Sequence, residues 1–157
     1  MPTRGCVAVG TIDSWKGVYN HSDSYPTGLG KEIWGLLKNK YKGDVKAFEK
    51  DMLEKKSWRA LIDDKFKNAI DDVMTEKEAD PLFIEWVYII NPKDSTLSIM
   101  AHKYDSNFAG KEPTDKVKVE KGGWWNYGHI RCKHDLLIKI DVNGKEPDWV
   151  ALEKMKD

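Results

Sequence analysis

Residues 83–90 read Phe-Ile-Glu-Trp-Val-Tyr-Ile-Ile. Ile84, Trp86, Tyr88 and Ile90 alternate with Glu85, Val87 and Ile89, so both faces of an extended chain are largely apolar. That pattern predicts a central strand covered on both sides. Asn91-Pro92-Lys93-Asp94-Ser95 supplies turn residues, and Leu97–Tyr104 reads as the strand that returns.

Working toward the N-terminus, residues 29–74 carry helical spacing. Leu29, Ile33, Leu36, Leu37 and Tyr41 recur at intervals of three and four, and Gly43 ends the run. Asp44 is a cap for a second helix, with Val45, Phe48, Met52 and Leu53 on one face. Ser57 caps a third, with Trp58, Leu61 and Ile62. A bend is expected near Asp63-Asp64, after which Phe66, Ile70, Val73 and Met74 continue the apolar face. Thr75 and Glu78 have capping-box spacing before Pro81. The chain opens with a hairpin: residues 6–12 as a strand, Asp13–Gly17 as turn material and Val18–His21 as the return.

Toward the C-terminus, residues 105–128 read as loop, rich in glycine. Residues 129–141 form a further strand, with Ile130, Cys132, His134, Leu136, Ile138 and Ile140 on one face. Glu146–Lys156 is a short closing helix with Trp149, Leu152 and Met155 turned inward. Strands are segregated from helices, so the class is α+β: a mostly antiparallel sheet of about five strands with a helical insertion over residues 28–80 packed on it. At 157 residues the chain is expected to be one domain.

Charge narrows the partners. There are 26 basic and 26 acidic residues, a formal net charge of zero, with no basic patch large enough for duplex DNA. No run of apolar residues is long enough to span a membrane. The N-terminal MPTRGCVAVG lacks the apolar core of a secretion signal, and two cysteines suit a reducing compartment, so a cytoplasmic location is expected. Cys132 and His134 share a strand face but sit in an apolar stripe. The four histidines show no paired spacing, so no metal or cofactor is expected.

The densest polar cluster is Tyr19-Asn20-His21-Ser22-Asp23-Ser24-Tyr25-Pro26-Thr27-Gly28-Leu29-Gly30. On an extended strand Tyr19, His21 and Asp23 share a face, and the helix that follows offers unpaired N–H groups suited to an anion. Gly28 and Gly30 would let a ligand approach the backbone. The same residues also suit a polar turn whose groups hold the chain together. Neither a P-loop nor a dinucleotide fingerprint is present.

Thr3-Arg4-Gly5, the Tyr19-x-His21-x-Asp23-x-Tyr25-Pro26 segment with Gly28 and Gly30, Glu85-Trp86-x-Tyr88 and Pro147-Asp148-Trp149 together resemble a family of small phage, prophage and bacterial proteins. That family has no activity to carry over. The resemblance implies a phage or prophage origin, and Ser24 stands where such proteins often have glycine.

Three functions follow as expectations. The first is a binding protein for a small anionic or nucleotide-like ligand, for instance one intercepting a host signal. Its site would be Arg4, Tyr19, His21, Asp23, Tyr25, Gly28, Gly30, Trp86 and Trp124. The second is an interaction module, such as an inhibitor of a host protein. It is suggested by seven tryptophans and by the loop Gly122-Gly123-Trp124-Trp125-Asn126-Tyr127-Gly128 with its flanking cations. The third is a hydrolase, with His21 as base oriented by Asp23, or with Cys6 as an amino-terminal nucleophile after removal of Met1–Gly5.

Overall fold

The computed structural model describes residues 2–156. β1 (Gly5–Thr11) and β2 (Ser14–Asn20) form the opening hairpin. Its turn is only Ile12-Asp13, because Ser14 already pairs with Thr11. Trp15 and Gly17, expected in the turn, are therefore strand residues, and both are buried.

One wide helical turn (Pro26–Gly30) leads into α1 (Lys31–Asn39), followed by α2 (Val45–Lys55) and α3 (Trp58–Ile62). Asp44 caps α2 through Ala47 N–H at 3.1 Å, and Ser57 caps α3 through Ala60 N–H at 3.4 Å. The helical reading fails beyond Asp63. A single 3₁₀ turn at Asp64–Phe66 follows, and Ile70 is 76% exposed. The chain then enters β3 (Val73–Thr75), which pairs with β2. Apolar spacing there suggested a helix, but an extended segment closes part of the open ladder along β2. Leu53, Ile62 and Met155 are also exposed, so the helical stripes are narrower than their apolar spacing implies.

β4 (Trp86–Asn91) and β5 (Thr96–Tyr104) form the second hairpin, and every residue from Trp86 to Ile90 is buried. β6 (Lys118–Val119), β7 (Trp125–Asn126), β8 (Arg131–Asp141) and α4 (Trp149–Met155) complete the chain. The sheet runs β3-β2-β1-β4-β5-β8-β7-β6. β1 and β4 are parallel, and the other neighbours are antiparallel. The α+β class stands, but the sheet is mixed, has eight strands and curls into a half-barrel, where about five antiparallel strands were expected. β3, β6 and β7 have two or three residues each, too few to show alternation in a sequence.

The two faces are filled differently. The helices cover one face, burying Val7, Val9, Tyr88, Ile90, Leu97 and Ile99 against Ile33, Leu37, Phe48 and Trp58. The other face carries the smaller cluster of Cys6, Ala8, Trp15, Ala79, Ile84, Val87 and Ile89. A bulge in β8 matters here. Ile138 sits opposite Ile99 but Leu136 sits opposite Met100, so Leu137 is an extra residue and the alternation shifts by one. Ile138 and Ile140 therefore join the helix-covered side. Cys132, His134 and Leu136, expected beside them, pair with Tyr104, His102 and Met100 and share their opposite face.

Candidate functional site

The Tyr19–Gly30 segment is built mainly from contacts with itself. β2 ends at Asn20, so His21 and Asp23 do not share a strand face. Tyr19 Oη and His21 Nδ1 are hydrogen bonded at 2.8 Å, whereas Tyr25 O–H donates to Asp23 Oδ1 at 3.0 Å. Each member of the expected base–carboxylate pair thus has a tyrosine for a partner instead of the other. The Asp23 bond holds the Tyr25 phenol above its usual pKa. Ser24 is fully buried, and its carbonyl accepts from Tyr88 O–H at 2.6 Å.

The helix start is also occupied. Glu153 Oε1, from α4, accepts from Thr27 N–H at 3.2 Å and Thr27 Oγ–H at 2.7 Å. A carboxylate of the chain already stands where an anion was expected. Gly28 and Gly30 lie where parts of the chain approach closely. A Cβ on Gly28 would run into the Asp23 carbonyl, and one on Gly30 would press on the Trp149 and Tyr88 rings at 3.1–3.2 Å.

The remaining expected residues are dispersed. Arg4 lies over the Phe83 ring at 5.4 Å. Trp86 is buried under Lys156, whose Nζ is 5.4 Å from the ring. Tyr25 and Trp86 do meet at a shallow depression with Thr3, Glu85, Glu153 and Lys156, where carboxylates outnumber cations. Trp124 does not line it. Arg131 and Lys133 stack over the Trp124 ring at 4.9 and 4.7 Å, and Arg131 is tied in turn to Asp105 at 2.6 Å and Glu120 at 2.8 Å. Those bonds hold both carboxyls below their usual pKa. Cys6 is completely buried within β1, and burial pushes its thiol far up, the opposite of what a nucleophile needs. Met1, whose removal that chemistry requires, lies outside the described residues.

A larger concavity than that depression lies elsewhere. Trp15 on β2 and Trp125 on β7 are separated by five strand spacings, roughly 24 Å in a flat sheet. Curling brings both onto one cleft of about 630 Å³, so the face they share is the inner one. Ile12, Met100 and Val119 add apolar walls. Asp13, Glu76, Lys77 and His134 supply the polar side chains, and Gly122-Gly123 forms part of the rim. Glu76 Oε2 accepts from Trp15 N–H at 3.0 Å, which fixes the post-β3 turn against the hairpin.

A strap packs on the same inner face. Residues 79–84 cross the inner face, burying Ala79 and Ile84. Three side chains from the sheet side hold it: Tyr127 O–H donates to Asp80 Oδ1, His102 Nδ1 to the Pro81 carbonyl at 3.1 Å, and His134 Nε2 to the Ile84 carbonyl at 2.6 Å. A carbonyl can only accept, so Nε2 of His134 carries the proton and Nδ1 bears a lone pair. Burial pushes the His134 imidazolium down to about 4. The ring is therefore neutral at pH 7. Nδ1 has no hydrogen-bond partner among the described residues, and His134 is one of the side chains that line the cleft. Neighbouring Cys132 is buried, and its thiol is pushed up to about 11.

Sequence reading missed Trp15, Met100, Trp125 and His134 as one group. The sequence presents His134 as a satisfied histidine beside a core Cys132 in preference to a metal ligand, and Trp125 only as part of the loop; the hydrogen bond of His134 and the burial of Cys132 agree with the first. The signal available was the excess of tryptophan; their convergence depends on sheet curl and on the β8 bulge. Among the described residues, no three His, Cys, Asp or Glu side chains are placed to hold a metal ion, and no helix is long and apolar enough to cross a membrane. No family model, curated protein or solved structure matches this chain.

Proposed function

We propose that this chain is a small-molecule binding protein whose ligand occupies the inner cleft of the half-barrel. The observation that carries this reading is the cleft of about 630 Å³ walled by Trp15, Trp125, Met100, Ile12 and Val119, with Asp13, Glu76, Lys77 and His134 also lining it. That volume lies within the usual range for ligand sites, which combine apolar walls with polar groups that orient the ligand. Small-ligand binding is thus proposed at the concave sheet surface, in place of the helix start that the Tyr19–Gly30 segment suggests.

Calorimetric titration with uncharged 2-naphthol tests it. Saturable one-to-one binding is expected. Trp125→Ala should weaken it by roughly fivefold, since loss of one stacking surface removes about 1 kcal/mol. Trp124→Ala is the control, because Trp124 does not line the cleft. Absence of saturable binding, or equal sensitivity to the two substitutions, refutes the proposal.

A further inference from the structure

We infer that the cleft selects a planar ligand bearing a cationic, donor-rich nitrogen group, such as an amidine or a protonated amino-heterocycle. This rests on the small-molecule reading above and narrows it to a chemical class.

The polar groups lining the cleft are mostly acceptors. Asp13 brings a carboxylate at the two-residue turn of the first hairpin. Glu76 uses Oε2 on Trp15 N–H, which leaves Oε1 without a partner among the described residues. His134, which also lines the cleft, is committed through Nε2–H to the Ile84 carbonyl and brings no positive charge. Against these stands one cation, Lys77, so the lining side chains carry two negative charges and one positive. A carboxylate or phosphate entering here would meet net repulsion and few donors. A flat cation meets the opposite: two carboxylates, and indole rings, whose π systems attract cations. Trp125 is itself held in place by Tyr127, the rings lying nearly parallel at 6.5 Å, so one of those faces is preset.

Three naphthalenes of one shape separate charge from size: 2-naphthamidine, 2-naphthamide and 2-naphthoate, with charges of about +1, 0 and −1 near pH 7. They are titrated calorimetrically against the whole chain. The amidine should bind tightest, and the carboxylate should bind at least roughly tenfold more weakly, as expected for two nearby carboxylates in a partly desolvated site. The double variant Asp13→Asn/Glu76→Gln keeps the side-chain shapes and an oxygen for Trp15 N–H. It should shrink the gap between amidine and carboxylate to about twofold. Equal binding of all three by the wild type overturns the chemical class and leaves the small-molecule reading standing. A preference that survives unchanged in the double variant overturns it as well. If none of the three binds, both readings fall.

Discussion

Acidification should loosen the inner face through His134, and the size of the effect can be worked out. In the unfolded chain its imidazole titrates near 6.5; in the folded chain burial pushes it down to about 4. The groups facing it are His102 directly across on β5, whose own imidazolium is also pushed down by burial, and Asp80 on the strap, which opposes the shift weakly. Between these two pKa values the unfolded chain takes up a proton that the folded chain refuses. The contribution of His134 is therefore full above about pH 6.5 and is lost as pH falls toward 4. The interval from 6.5 to about 4, at about 1.4 kcal/mol per pH unit, amounts to about 3 kcal/mol. For a chain of this length that lowers Tm by roughly 6–12 °C. Urea melts at pH 7.5, 5.5 and 4.5, followed by tryptophan fluorescence, measure it. His134→Gln keeps a donor for the Ile84 carbonyl but cannot titrate. The variant should be less stable at pH 7.5 and should show a markedly flatter loss between pH 6.5 and 4.5, retaining only the part due to His102. A variant with the wild-type slope would refute the reasoning. Asp105 and Glu120, held low by Arg131, add their own loss only at lower pH, because carboxylates with depressed pKa values destabilise the fold when they are finally protonated.

Two further outcomes follow from groups outside the cleft. Tyr88→Phe removes the hydroxyl that donates to the Ser24 carbonyl, leaving a buried acceptor unpaired; a loss of about 1–3 kcal/mol in urea unfolding is expected, with naphthol affinity unchanged. Cys6 and Cys132 are both buried with raised thiol pKa values, so neither should react with a disulfide reagent in the native protein at pH 8, and both should react once urea unfolds it. Fast labelling of Cys6 in the native state would contradict its position in the sheet.

Much of the architecture was legible in local patterns. Residues 83–90 announce a doubly covered strand because burial on both sides requires apolar residues, and Trp86–Ile90 form it within β4, whereas Phe83 is exposed and Ile84 belongs to the strap, so the strand starts three residues later than the pattern suggests. Asp44 and Ser57 announce helix starts because a side-chain oxygen followed by helical spacing has one favoured use, and both cap as expected. The Asn91–Ser95 turn is equally local and leads into β5. Each of these inferences needs only neighbours within a few residues.

The rest depended on distant partners. β3, β6 and β7 are strands because an open ladder lies beside them, not because their own two or three residues prefer extension. The polar groups at Tyr19–Gly30 looked free from the sequence, yet Tyr88 and Glu153, separated from them by 64 and 126 residues, already use Ser24 and Thr27. Trp15 and Trp125 are 110 positions apart in the chain and meet only because the sheet curls. His134 shares the inner face with Met100 because one extra residue, Leu137, shifts the pleat. Alternation and capping are written into adjacent residues, whereas curvature, register and the partner of a polar group are properties of the assembled sheet, and the cleft is made of those.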